Sequence, residues 1–246
     1  MFKNILKISF RNLLKNKAHA FTNVAGLAIG TSAAIVIYFI ISYDLSFDTY
    51  HADTDRIFRL VQNETTNGEL GYESGIPYPL RLKFAEEYPE VEALAYLDQN
   101  SGSLITIESD GNKVRYENDD VHLGFTMPSY FKIFKHEFLL GDAESLGTAG
   151  NVILSKRMAE RFFGNYQDAL GKVINYENAV DLTVTGVIAN LPGNTDLPHE
   201  ILIAFETGGS LRIWDSWTAT STSVQAFIKV KPQVDITRFE DKIINY

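Results

Sequence analysis

Asp48, His51, Asp53 and Asp55, close together in an eight-residue stretch, are a concentration of side chains that could do chemistry in this chain. Carboxylate oxygens and an imidazole at that spacing could hold a divalent cation. The wider pattern does not develop such a site. The five histidines, His19, His51, His122, His136 and His199, form no HExxH or HxxxH pair. These acids are therefore expected to be solvated or to cap the turns of a connector. Residues 164–172 (GNYQDALGK) are a second candidate, for phosphate binding. A phosphate loop needs four residues between its glycines and a Ser or Thr after its Lys. Here six residues separate Gly164 from Gly171, and Val173 follows Lys172. Gly164 reads better as a helix stop and Gly171-Lys172 as a turn. No GxSxG elbow anchors a catalytic triad. The chain has no cysteine, which removes disulfides, thiolate metal sites and Cys nucleophiles. No catalytic, cofactor-binding or metal-ligating residue is expected, and the chain is not expected to be an enzyme. If it does energy-driven work, a nucleotide must be hydrolysed by another chain.

The elements that carry these residues begin with a membrane-scale segment. Residues 20–43 are 24 residues without a charge. As a helix they would rise about 36 Å at ~1.5 Å per residue, enough to cross a hydrocarbon core of about 30 Å. A cleaved signal peptide would have a shorter apolar region and a small-residue cleavage site. This segment instead runs from Ile40 and Ile41 straight into Tyr43-Asp44. A helix packed against the core of a soluble domain usually keeps a polar face, whereas all faces here are apolar or small. The expectation is one uncleaved transmembrane helix. Within it Gly26 and Gly30 form a GxxxG, a spacing that lets another helix approach closely in lipid.

Ahead of the span, Lys3, Lys7, Arg11 and Lys15 recur every four residues, opposite Phe2, Ile5, Leu6, Leu13 and Leu14. Residues 1–18 therefore read as a basic amphipathic helix, in the cytoplasmic interface of the bilayer or against a cytoplasmic partner. Positive charge stays inside, which places the N-terminus in the cytoplasm and residues 44–246 outside it. The whole chain carries −9; the first 43 residues contribute +5 and no acid, so −14 remains on the rest. An acidic body of that kind is a poor partner for nucleic acid, and none is expected.

In the outer part, residues 56–62 (RIFRLVQ) alternate like a strand and residues 67–75 are turn-rich. Residues 77–88 read as a helix ended by Pro89, and 91–97 and 104–107 as strands. Asp110-Gly111 reads as a hairpin turn leading to a strand at 113–117. Pro128 opens a short helix to Phe134. A strand at 151–154 precedes a helix capped by Ser155 and closed by Gly164. Strands follow at 182–189 and 226–230, and a last helix begins at 235 with Asp235 or Thr237 as cap. Strands and short helices mix without regular alternation, so the fold class is expected to be α+β.

Three segments together resemble a known family. SFRNLLKNKAHAFTNVAGLAIGTSAAIVI (9–37), SYDLSFDTYHADTDRIFRL (42–60), and NVILSKRMAERFFGNYQDALGKVI (151–174) with LTVTGVIANLPGNTDLPHEILIAF (182–205) are similar, in that order, to the MacB/FtsX-type ABC transporter permeases. The motifs are structural, not catalytic. The resemblance implies an N-terminal span followed by a MacB-like periplasmic core domain over residues 44–246, in a bacterial inner membrane. It implies a permease homodimer or heterodimer resting on a cytoplasmic ABC ATPase, and no cofactor. It also implies three or seven further spans after the domain, whereas this sequence stops at Tyr246 and so reads as a fragment or a truncated product. Gly26 and Gly30 are then expected to pack helices. Asp44, Asp48, His51, Asp55, Arg56 and Arg59 become the connector that transmits movement, and the two arginines are candidate ion-pair partners for Asp44, Asp48, Asp53 and Asp55. An alternative from another class has the same anchor and acidic exterior: a membrane-anchored extracytoplasmic binding or sensor domain that works without an ATPase. A secreted hydrolase on an uncut anchor lacks a visible nucleophile or paired acid site.

Overall fold

The computed structural model describes residues 11, 15–66, 69–100, 103–109, 111–117, 122–208, 216–217 and 220–244. The expected amphipathic helix at 1–18 lies largely outside the described residues. The chain divides into two compact units, Met1–Asp48 and Thr49–Tyr246.

The first unit is built on helix α1, Lys17–Asp44, of 28 residues. It is long and apolar enough to cross a membrane, and no residue in it is buried. Its large apolar side chains, Phe21, Leu27, Ile35 and Phe39 among them, all face outward. A β-carbon added at Gly26 or Gly30 would meet no atom within 4 Å, so that face is open.

The second unit is α+β, as the sequence suggests. Its strands are β1 (Ile57–Leu60), β2 (Gln62–Thr66), β3 (Glu69–Glu73), β4 (Val91–Asn100), β5 (Leu104–Ser109), β6 (Asn112–Glu117), β7 (Leu123–Thr126), β8 (Phe138–Gly141), β9 (Asn151–Ser155), β10 (Val173–Tyr176), β11 (Val180–Ile188), β12 (Ile201–Ala204) and β13 (Val224–Val230). Its helices are α2 (Leu80–Glu87), α3 (Tyr130–Ile133), α4 (Lys156–Phe163) and α5 (Ile236–Ile243). One mixed sheet runs β1-β13-β4-β7-β12-β9-β11-β10-β5-β6, with β8 on β11; β2 and β3 form a separate hairpin. Pairing is parallel for β7 with β12 and β9 with β11, and antiparallel elsewhere.

The sheet buries apolar side chains on both faces. Along β4, Leu94 and Tyr96 enter one core cluster and Ala93, Ala95 and Leu97 the other. The same alternation splits Ile201 and Ile203 from Leu202 and Ala204 on β12. A strand covered on both sides reads as a continuous apolar run rather than an alternating one. This is why the four-residue strands β7 and β12, buried at every position, do not stand out in the sequence. Within residues 67–75, expected to be turn-rich, 67 and 68 lie outside the described residues, and Glu69–Glu73 are instead the second strand of the β2–β3 hairpin. Its strands, QNETT and ELGYE, are too polar to announce a buried face. The single strand expected at 56–62 is interrupted at Val61, where the chain leaves the main sheet for that hairpin.

Helix α4 matches its expectation at both ends. Ser155 Oγ accepts from Met158 N at 3.1 Å, and Gly164, at φ +80°, closes the helix with a bond from its N–H to the Glu160 carbonyl. Met158, Ala159 and Phe162 are buried while Arg157, Glu160 and Arg161 face out. Ser155 Oγ also donates to Glu200 Oε1 at 3.0 Å, and Arg157 pairs with both Glu200 oxygens. Ser155→Ala removes a cap and a partner of a buried carboxylate together. It is expected to lower the unfolding free energy by about 1–2 kcal/mol, read as a lower urea midpoint; an unchanged midpoint would show that the cap carries no stability.

Candidate functional site

The connector residues divide between the two units. Asp44 is the last residue of α1, and Asp48, at φ 53°, is the last residue of the first unit. On either side of Asp44, Tyr43 and Phe47 meet edge to face. His51, the third residue of the second unit, is 5% exposed. Its ring lies 4.0 Å from that of Tyr50, 5.2 Å from Phe134 and 6.0 Å from His136, centroid to centroid. Tyr50 Oη donates to Thr195 Oγ1 at 3.2 Å. The residue that would have been a metal ligand is thus an anchor in an aromatic nest.

Asp53 stands at φ 62° and begins a short 3-10 turn, Thr54–Arg56, which aims Arg56 back into the domain. Arg56 Nη1 donates to Glu92 Oε2 and to the Val230 carbonyl, both at 2.8 Å, and Nη2 lies 2.7 Å from Asp53 Oδ2. Lys229 Nζ lies 2.8 Å from the same Asp53 oxygen and 3.8 Å from Glu92 Oε1. Two cations and two carboxylates therefore alternate around one point. The Lys229 ammonium foremost, with Arg56, holds the Asp53 carboxyl below its ordinary range against the opposing effect of desolvation. Glu92 foremost, with Asp53, raises the Arg56 guanidinium above its usual value. The arrangement offers no nucleophile. It fixes the turn by which the chain enters β1 to strands β4 and β13.

The sequence reading placed Arg56 and Arg59 opposite the connector acids. The structure brings Arg56 to Asp53; Asp55 and Arg59 are exposed, and Arg59 makes no ion pair among the described residues. Glu92 and Lys229 were missed. A signal for Lys229 is legible afterwards: it interrupts the apolar run AFIKV, and a lysine at a position 9% exposed requires a partner. Glu92 carries no such mark, because strand β4 returns to Arg56 from a distance of 36 residues.

The sequence model for the MacB-like periplasmic core domain matches residues 20–246. Among proteins of curated function, no sequence matches this chain. Two solved structures share the fold. One is a domain of a permease protein from Porphyromonas gingivalis, with TM-score 0.62 and 19% identity over 77% of this chain and 82% of that one. Another is the periplasmic region of MacB from Actinobacillus actinomycetemcomitans, with TM-score 0.53 and 14% identity over 76% of this chain and 80% of that one. With the apolar helix ahead of the domain and a family match over nearly the whole sequence, this chain belongs to the MacB-like periplasmic core domain family and is an ABC transporter permease-type membrane protein with an extracytoplasmic domain.

Proposed function

We propose that this chain is the membrane subunit through which a separate cytoplasmic ABC ATPase moves an extracytoplasmic domain, for export, extrusion or mechanical signalling. In this reading the N-terminus is cytoplasmic, residues 44–246 lie outside a bacterial inner membrane, and two permease chains, alike or different, work as a pair. Gly26 and Gly30 pack against another span, and the connector containing Asp44, Asp48, His51, Asp55, Arg56 and Arg59 carries the movement.

The observation that supports this most is the ion-paired turn. The entering chain is tied by Arg56 to the side chain of β4 residue Glu92 and to the backbone of β13 at Val230. A displacement arriving at Arg56 is therefore handed to the sheet and is not absorbed in a loose linker. The test isolates the full-length protein in mild detergent and measures ATP hydrolysis by whatever ATPase accompanies it. An ABC ATPase should co-isolate, with a hydrolysis rate that responds to the extracytoplasmic domain. Replacing Arg56 and Lys229 together by Gln should leave the ATPase bound and weaken that response about fivefold or more, the size of an ordinary coupling between sites. Reproducible absence of an ATPase would overturn the proposal.

A further inference from the structure

A cleft of about 650 Å³ opens in the unit Thr49–Tyr246 and shares no residue with the ion-pair cluster. That volume lies in the range of sites that hold a ligand, roughly 300–1,000 Å³. Its floor is apolar, with Ile76, Phe84, Ile228 and Phe239 among the lining residues. Three observations say what it takes.

The first is the course of the cleft. Phe58, Arg59, Leu60 and Val61 all line it, one after another. A strand sends successive side chains to opposite faces, so a cavity that touches every residue runs along the strand's edge. This edge is unoccupied among the described residues: β1 ends the sheet and pairs with β13 on its other side. An open strand edge is a row of backbone donors and acceptors ready to pair with another chain. The second is the distribution of exposed apolar surface. Seven large apolar residues of this unit are exposed among those described, and four of them, Val61, Tyr72, Trp217 and Ile244, line this cleft. Aromatic residues gathered in this way mark binding surfaces. The third is charge. Arg59 and Glu240 both line the cleft, and neither makes an ion pair among the described residues.

We propose that the β1 edge and its cleft receive an extended segment of a partner protein, which adds as a strand beside β1. Main-chain bonds to β1 supply the common affinity, and alternate apolar side chains seated in the cleft supply the selectivity. An acidic and a basic residue flanking the segment meet Arg59 and Glu240. The proposal stands apart from nucleotide coupling, since it concerns recognition at one edge of the domain.

The test pans a displayed library of random octapeptides against the full chain in lipid nanodiscs, with counter-selection on a Tyr72→Ser, Ile244→Asp variant. Both replaced residues are exposed, so the variant should fold. Enriched peptides should alternate apolar and polar residues. The best of them, made synthetically, should slow amide hydrogen exchange at residues 58–61. Methylating its alternate backbone nitrogens on the pairing edge should weaken binding at least tenfold, although methylation makes the peptide more apolar. Absence of enrichment, or a peptide that binds equally well when methylated, or binding without protection of β1, would overturn strand addition; the last two results would describe a cavity filled by apolar bulk alone.

Discussion

Taking the full chain from pH 7 to pH 5 should remove about 4 kcal/mol of folding stability from the extracytoplasmic unit, through two histidines. Burial foremost, with His51 nearby, pushes His136 down to about 3; burial, with His122, pushes His199 down to about 4. Each must stay neutral in the folded state, while the unfolded chain takes up its proton near pH 6.5. The unfolded state therefore binds more protons below that value. The stabilising contribution is complete above pH 6.5 and is lost as pH falls toward the folded-state values. At ~1.4 kcal/mol per pH unit, each histidine loses about 2 kcal/mol between pH 7 and 5. The rings show why neutrality is enforced. His136 stacks on Tyr130 at 5.6 Å and meets Phe131 edge-on at 5.4 Å, and its Nε2 has no hydrogen-bond partner among the described residues. Urea unfolding at several pH values measures the loss. His136→Phe keeps a ring in the nest and should flatten the dependence by about half. The same pH slope in that variant and in the wild type would refute the assignment.

Gly141→Ala should cost about 3 kcal/mol or more, and Gly164→Ala about 1. Both glycines sit in the left-handed region, at φ +68° and +80°, where a side chain costs about 1–2 kcal/mol. Their surroundings differ. A β-carbon on Gly164 would meet open space. One on Gly141 would run into the Thr185 carbonyl oxygen and lie 2.9 Å from Gly186 Cα, because β8 crosses β11 there with Gly141 opposite Gly186. Backbone cannot swing aside as a side chain can, so β8 must separate from β11, adding the cost of an overpacked core. Unfolding midpoints of the two variants supply the comparison. Equal losses would mean that β8 does not press on β11.

What the sequence disclosed follows from which physical signals are local. The charge-free span, the Ser155 cap and the Gly164 stop each depend on a few neighbouring residues, and each falls where the sequence reading puts it. Asp235 likewise caps α5, its Oδ1 accepting from Arg238 N at 3.2 Å. The short strands β7 and β12 were illegible because burial on both faces erases alternation, and β2–β3 because their sequences, QNETT and ELGYE, are polar nearly throughout. Half of the ion-pair cluster was legible. Asp53 and Arg56 are three residues apart on one turn, but Glu92 and Lys229 reach them through pairings of β1, β13 and β4 that no local pattern encodes. His51 shows the same limit: among neighbouring acids it resembles a ligand, and, the adjacent Tyr50 aside, its aromatic surroundings come from Phe134 and His136, far along the chain.

The pairing of β1 with β13 has a mechanical meaning. The strands are antiparallel, with Ile57 opposite Lys229 and Leu60 opposite Ala226. The start of one and the finish of the other lie side by side. A force that draws those two ends apart loads one rung at a time, as a zip opens, whereas a force that carries both together loads none of them. Arg56 on the Val230 carbonyl and Lys229 on Asp53 close the zip at the end where peeling would begin. The domain is thus stiff toward being carried as a whole and yielding toward being pulled open, with four charged side chains setting the threshold between the two.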